Sequence, residues 1–144
     1  MNRPSWEEYY LEIAKKVSAR STCIRRKYGA VIVKDGRIVS TGYNGSARDE
    51  DNCCDTGKCA RKELNVPAGE RYELCVAVHA EMNAIINCSP ENLKGSTIYI
   101  AGFNEDGSVA SAEPCMMCSR AIKNAKITKL SYVTDSGRIW SSYV

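Results

Sequence analysis

No apolar run in the 144 residues is long enough to cross a membrane. The opening stretch, MNRPSWEEYY, lacks the apolar core of a secretory signal, so a cytoplasmic chain is expected. In that compartment the eight cysteines read as thiols or metal ligands before they read as disulfides. Strong charge is also missing. A net charge of +3 does not argue for a strong nucleic-acid binder, whose domain would usually be far more basic, and is compatible with a small anionic ligand. There is no internal repeat and no low-complexity segment. Histidine occurs once, at His79.

What remains is an ordinary soluble composition, 44% hydrophobic and 26% charged. The length suits a single domain, 1–144, with a proper core. Ser5 is a good N-cap, Glu7 and Glu8 follow it, and Tyr10, Ile13, Ala14 and Val17 repeat at helical spacing up to about Arg20. A β-branched run from Ala30 to Val33, a Lys-Asp-Gly turn and the stretch Arg37 to Tyr43 predict a hairpin. The segment from Asn44 to Glu70 reads as irregular. A helix over 79–87 follows, with Met82, Ile85 and Ile86 expected on its buried side. Next come a strand over 96–102, the polar turn FNEDGSVAS, a helix with Pro114 in its first turn, and a strand over 127–133. After Asp135 the pattern fades. A mixed sheet flanked by helices accommodates this order.

The chemistry concentrates at two points. Cys115 and Cys118, in PCMMC, are spaced to share one helix face and to chelate one zinc. A third protein ligand leaves the fourth position of a catalytic zinc open for water, and His79 is the obvious third. Both ligand groups stand at helix starts, where thiolates and developing negative charge are favoured. Glu81, two residues after His79, is placed to exchange protons with the activated water without binding the metal. The order H-x-E…P-C-x-x-C is the form found in zinc nucleobase deaminases, where hydroxide attacks C4 of cytosine.

Three longer stretches carry a closer resemblance: RSTCIRRKYGAVIVKDGRIVSTGYNGS, GERYELCVAVHAEMNAI and PCMMCSRAIKNAKITKL. From about Arg3 to about Val133 the chain resembles the deoxycytidylate (dCMP) deaminases of the cytidine deaminase superfamily. The TGYNG loop, the STC before GAVIV and the cysteine-bearing insert, 53–75, point to that branch. The resemblance implies a three-layer α-β-α fold with a mixed central sheet and hydrolysis of dCMP to dUMP and ammonia. It implies that Asn44 contacts sugar or base and that the backbone around Ala80 helps hold the pyrimidine. It further implies a homo-oligomer, often a hexamer, and control by dCTP and dTTP. For the phosphate, the chain offers the basic run Arg25 to Lys27, with Arg26 at its centre.

Some relatives carry a second, structural zinc. Carried over by position, its ligands are Cys23, Cys53, Cys59 and Cys75, with Cys54 able to replace Cys53; four thiolates would staple an insert with little core of its own. The alternative is a group of buried free thiols. Cys88 reads as packing. The gap between His79 and Cys115 is longer than is usual in the superfamily, and the tail over 136–144 is shorter. AEPCMMC also resembles tRNA adenosine deaminases, where Glu-Pro-Cys is common. Other zinc deaminases, acting on tRNA adenosine, cytidine or guanine, therefore stand beside the dCMP reading. So does a non-catalytic zinc-binding module, against which Glu81 argues.

Overall fold

The computed structural model describes residues 2–144. Helix α1, Trp6–Ser18, starts where the cap predicts, with the Ser5 hydroxyl accepting from the Glu8 amide. Acidic residues occupy its first turn and lysines its last, as the helix dipole favours. Strands β1, Arg26–Lys34, and β2, Arg37–Tyr43, form the expected hairpin. At its turn Asp35 and Gly36 both have positive φ, 50° and 74°, the conformation that a two-residue connection requires. Arg26 and Lys27 are therefore strand residues rather than a preceding loop.

A two-residue strand β3, Gly45–Ser46, leads into the insert. The insert holds the one-turn helices α2, Cys53–Thr56, and α3, Ala60–Glu63, and a 3-10 turn, Tyr72–Leu74. Strand β4, Ala77–Val78, pairs with β3 and delivers the chain to helix α4, Ala80–Ile86. The one-turn helix α5, Pro90–Leu93, precedes β5, Thr97–Asn104, which folds back on β6, Val109–Ala110. Helix α6, Met116–Asn124, and strands β7, Lys129–Val133, and β8, Ile139–Tyr143, complete the fold.

The main sheet runs β2-β1-β5-β7-β8. Only β5 and β7 are parallel, because α6 carries the chain back between them. Side chains alternate across the sheet and both faces are covered. Ala30 and Ile32 of β1, with Ile98 and Ile100 of β5, pack beneath α4 and α6. Val31, Val33, Tyr99 and Ala101 pack against Tyr10, Leu11 and Ala14 of α1. The result is the three-layer α-β-α arrangement with a mixed sheet. Among the described residues no helix is long and apolar enough to cross a membrane.

Two glycines set how closely the helices approach. A Cβ on Gly29 would lie 2.1 Å from the Ala14 carbonyl oxygen. One on Gly42 would lie 2.4 Å from the Ala84 amide nitrogen and 2.5 Å from the Ala80 carbonyl oxygen. Helix α4 thus rests backbone-on-backbone on β2 through Ala80 and Ala84. This close approach corrects three expectations. His79 is the N-cap of α4 and lies outside the helix. Its buried residues are Ala80, Glu81 and Ala84; Ile85 packs against the core as expected, whereas Ile86 is 72% exposed, because small residues face the glycine. Pro114 precedes the cap residue Cys115 and stands outside the first turn of α6. The faded pattern after Asp135 conceals β8, antiparallel to β7 at the sheet edge, with Trp140 and Tyr143 exposed.

Gly42→Ala is expected to destabilise the fold by about 1–3 kcal/mol or more, since backbone and not a side-chain end stands in the way. Urea denaturation against the unsubstituted protein measures it.

Candidate active site

The strand-to-helix turn at His79 and the turn into α6 at Cys115 set two side chains facing each other. Both residues are extended N-caps, His79 at φ −68°, ψ 152° and Cys115 at φ −66°, ψ 169°. The imidazole takes no part in capping, so it is free to face α6. Its Nδ1 stands 3.2 Å from Cys118 Sγ and 3.6 Å from Cys115 Sγ. Cys115 Sγ in turn accepts from the Cys118 amide at 3.5 Å. Among the described residues, only these three bring as many candidate donor atoms within 4.8 Å of one another. All eight cysteines are free thiols.

The electrostatics of this cluster ask for a cation. Cys118 is fully buried. Burial above all, then the Glu81 carboxylate and Cys115, push its thiol up from its ordinary value. Burial likewise pushes the Glu81 carboxyl up, while its own backbone N–H, the His79 ring and Cys118 draw it back. Thiols held neutral in this way ionise when a metal replaces their protons. One imidazole and two thiols are a three-ligand zinc set with an open position, and the set fits the ion. Glu81 stands outside the donor triad, at 6% exposure in the first turn of α4.

The cleft over this cluster gathers other residues singled out in the sequence. Arg26, Asn44 and Ala80 line the same pocket as His79, Glu81 and Cys115. Asn44 is largely occupied with structure. Its Oδ1 accepts from the Tyr28 amide at 2.8 Å and the Ser21 hydroxyl at 2.6 Å, and its Nδ2 donates to the Arg26 carbonyl at 2.9 Å. One N–H is left for a ligand. Arg26 is exposed at the start of β1. Tyr28 lies across Gly102, where an added Cβ would fall 2.3 Å from its ring, and faces the pocket.

Cys23 and the insert cysteines Cys53, Cys59 and Cys75 are not gathered within 4.8 Å of one another as the triad is. Cys53 and Cys59 are buried, and Cys23 and Cys75 each accept an amide hydrogen from two residues on, at 3.4 Å. Burial pushes the Cys53 thiol up, and Cys23, Cys59 and Cys75 add to it. Cys54 is exposed. Two pocket residues carried no sequence signal, Arg61 and Tyr72 of the insert. Tyr72 meets the His79 ring edge-on at 5.7 Å.

Residues 4–134 match the family described as the cytidine and deoxycytidylate deaminase zinc-binding region. The chain is 40% identical over 141 residues to the deoxycytidylate deaminase of Mycobacterium phage D29, spanning 94% of this chain and 100% of that protein. It is 33% identical to the deoxycytidylate deaminase of Schizosaccharomyces pombe, over 92% of this chain but 38% of that longer protein. Among solved structures, the dCMP deaminase of cyanophage S-TIM5 in complex with dCMP and dUMP superposes with a TM-score of 0.64, at 29% identity over 92% of this chain and 83% of the other.

Asn44→Ala leaves the Tyr28 amide buried without its acceptor, and the expected cost is about 1–3 kcal/mol of stability. Thermal or urea unfolding gives the value.

Proposed function

The chain belongs to the cytidine and deoxycytidylate deaminase zinc-binding family, and on that premise we propose that it hydrolyses dCMP to dUMP and ammonia. The observation that carries this reading is the buried carboxylate of Glu81 beside the His79, Cys115 and Cys118 cluster, at the floor of a pocket whose wall includes arginine. A purely structural site has no use for such a carboxylate. The full-length match to the phage D29 enzyme supports the choice of substrate.

His79, Cys115 and Cys118 would hold the zinc, which supplies the Lewis acidity that makes water a nucleophile at neutral pH. Glu81 then does the proton work. It takes a proton as water attacks C4 of the pyrimidine and passes it to ring N3. It takes the second proton of the attacking oxygen and hands it to the departing amine. The C4–N bond breaks, ammonia leaves and a carbonyl remains. Burial serves this role, because a carboxyl raised toward neutrality both accepts and returns a proton readily. Asn44, through its remaining N–H, and the backbone at Ala80 orient the nucleoside; Arg26 stands toward the phosphate.

The same proposal includes a structural zinc on Cys23, Cys53, Cys59 and Cys75. Support comes from the mutual influence of these thiols and from the amide-to-sulfur bonds at Cys23 and Cys75, which favour thiolates. It also includes a homo-oligomer, with a hexamer as the arrangement, in which the exposed β8 edge is available for contact. Control by dCTP and dTTP and a cytoplasmic location complete it.

Glu81→Gln should retain its zinc and lose about 10²–10⁴-fold in kcat for dCMP. Ammonia release and elemental analysis read the two properties, and a fully active variant would remove Glu81 from the mechanism. Cys59→Ser should lower the zinc content by about one ion per chain and destabilise the insert. Unchanged metal content would rule out the four-thiolate site.

A further inference from the structure

The insert carries a buried charged side chain that no carboxylate among the described residues pairs with. Arg61, in α3, is 8% exposed. Its Nη2 donates to the carbonyls of Pro67 at 2.9 Å and Glu70 at 2.8 Å. Its Nε is buried and has no partner. Among the described residues the ion pairs are Lys15–Glu12, Lys62–Glu105, Arg71–Glu73 and Lys129–Glu7, and none reaches Arg61. Neutral carbonyls and the face of Tyr72, 4.8 Å from the guanidinium carbon, moderate the charge without cancelling it. A buried cation without an anion is costly to hold, and an anion that arrives beside it is correspondingly well bound.

Arg61 lines the same pocket as His79 and Glu81, with Arg25 and Arg26. Arg26 is exposed, so water and salt screen it. Arg61 is out of water, where the same Coulomb attraction is several times larger. Tyr72 ties it to the site, lying under the guanidinium and edge-on to His79.

We propose that Arg61 is the residue that makes this pocket selective for a nucleoside monophosphate, its guanidinium taking the substrate's phosphate where no carboxylate pairs with it. The assignment rests on the deaminase reading and adds to it the group that separates nucleotide from nucleoside. The Arg61 Nη1 is not taken up by the carbonyls of Pro67 and Glu70, and a guanidinium keeps its charge at any pH of interest. The insert thereby acquires a role in the reaction: it delivers the phosphate receptor to the catalytic cleft.

The test compares kcat/KM for dCMP and for deoxycytidine in the zinc-loaded protein and in Arg61→Met and Arg61→Lys. Because both substrates are read on one preparation, their ratio is independent of how much of a variant is folded. The expected result is a fall of about 10- to 100-fold in the dCMP to deoxycytidine ratio for Arg61→Met, chiefly through KM, with Arg61→Lys in between. An unaltered ratio overturns the proposal and assigns Arg61 to holding the Pro67–Glu70 loop. Calorimetric binding of dUMP and deoxyuridine gives a second readout that needs no turnover. A preference for dUMP that Arg61→Met abolishes supports the proposal, and no preference in the unsubstituted protein overturns it. Should neither substrate be turned over with zinc bound, the deaminase reading fails, and this binding measurement still decides on Arg61.

Discussion

Taking a carboxyl and two thiols out of water beside one another is unfavourable, and the rest of this fold is arranged around that cost. Glu81 and Cys118 are both buried, burial raises the proton affinity of each, and Glu81 raises that of Cys118 further. The geometry relieves this by placing the His79 ring against both sulfurs and by leaving donors that a dication would convert to ligands. Such a cluster needs rigid walls, because a shift of an ångström would open it to water or drive its charges apart. Two helices, α4 and α6, supply the walls. Their N-terminal ends meet because each is anchored on the same face of one sheet.

That anchoring explains several otherwise separate details. Gly42 lets α4 sit directly on β2, which fixes the height of His79 and Glu81 above the sheet. The parallel pair β5 and β7 requires a crossover, and α6 is that crossover, so its first turn must fall at the carboxyl end of β5. Ligands in open α/β sheets characteristically bind beyond the carboxyl ends of strands, and this cleft obeys the same logic. The insert closes the cleft from the side. Having little apolar core, it is held by polar and aromatic contacts, among them Arg61 to Pro67 and Glu70 and Tyr72 to His79.

How much of this was legible beforehand depended on the range of the interaction. The helix α1 and the β1–β2 hairpin rest on local signals, a capping serine and an Asp-Gly turn, and both form where those signals stand. The orientation of α4 was read in part. Ile85 does pack on the core, but Ile86 is exposed, and the closest contact is made by Ala80 and Ala84 with Gly42, far away in the sequence. Strand β8 lacked a signal for a related reason. As an edge strand with exposed residues it has no alternation to betray it, and its pairing with β7 is its main support. Arg61 sat in a stretch with no pattern, since one-turn helices in an insert leave no periodicity to read.

The sequence alone determined the chemistry. H-x-E and P-C-x-x-C name a candidate donor set with a carboxylate beside it, because the identity of a ligand atom belongs to the residue and not to its surroundings. It determined the local elements for the same reason, as capping and turn preferences act within a few residues. The tertiary structure decided everything that depends on distance and dielectric. It set which thiol is fully buried and which side of α4 meets the sheet. It turned an arginine from an irregular segment into a buried cation, unpaired with any carboxylate, that lines the cleft. Burial and the absence of a partner are properties of the packed chain, and no single residue carries them.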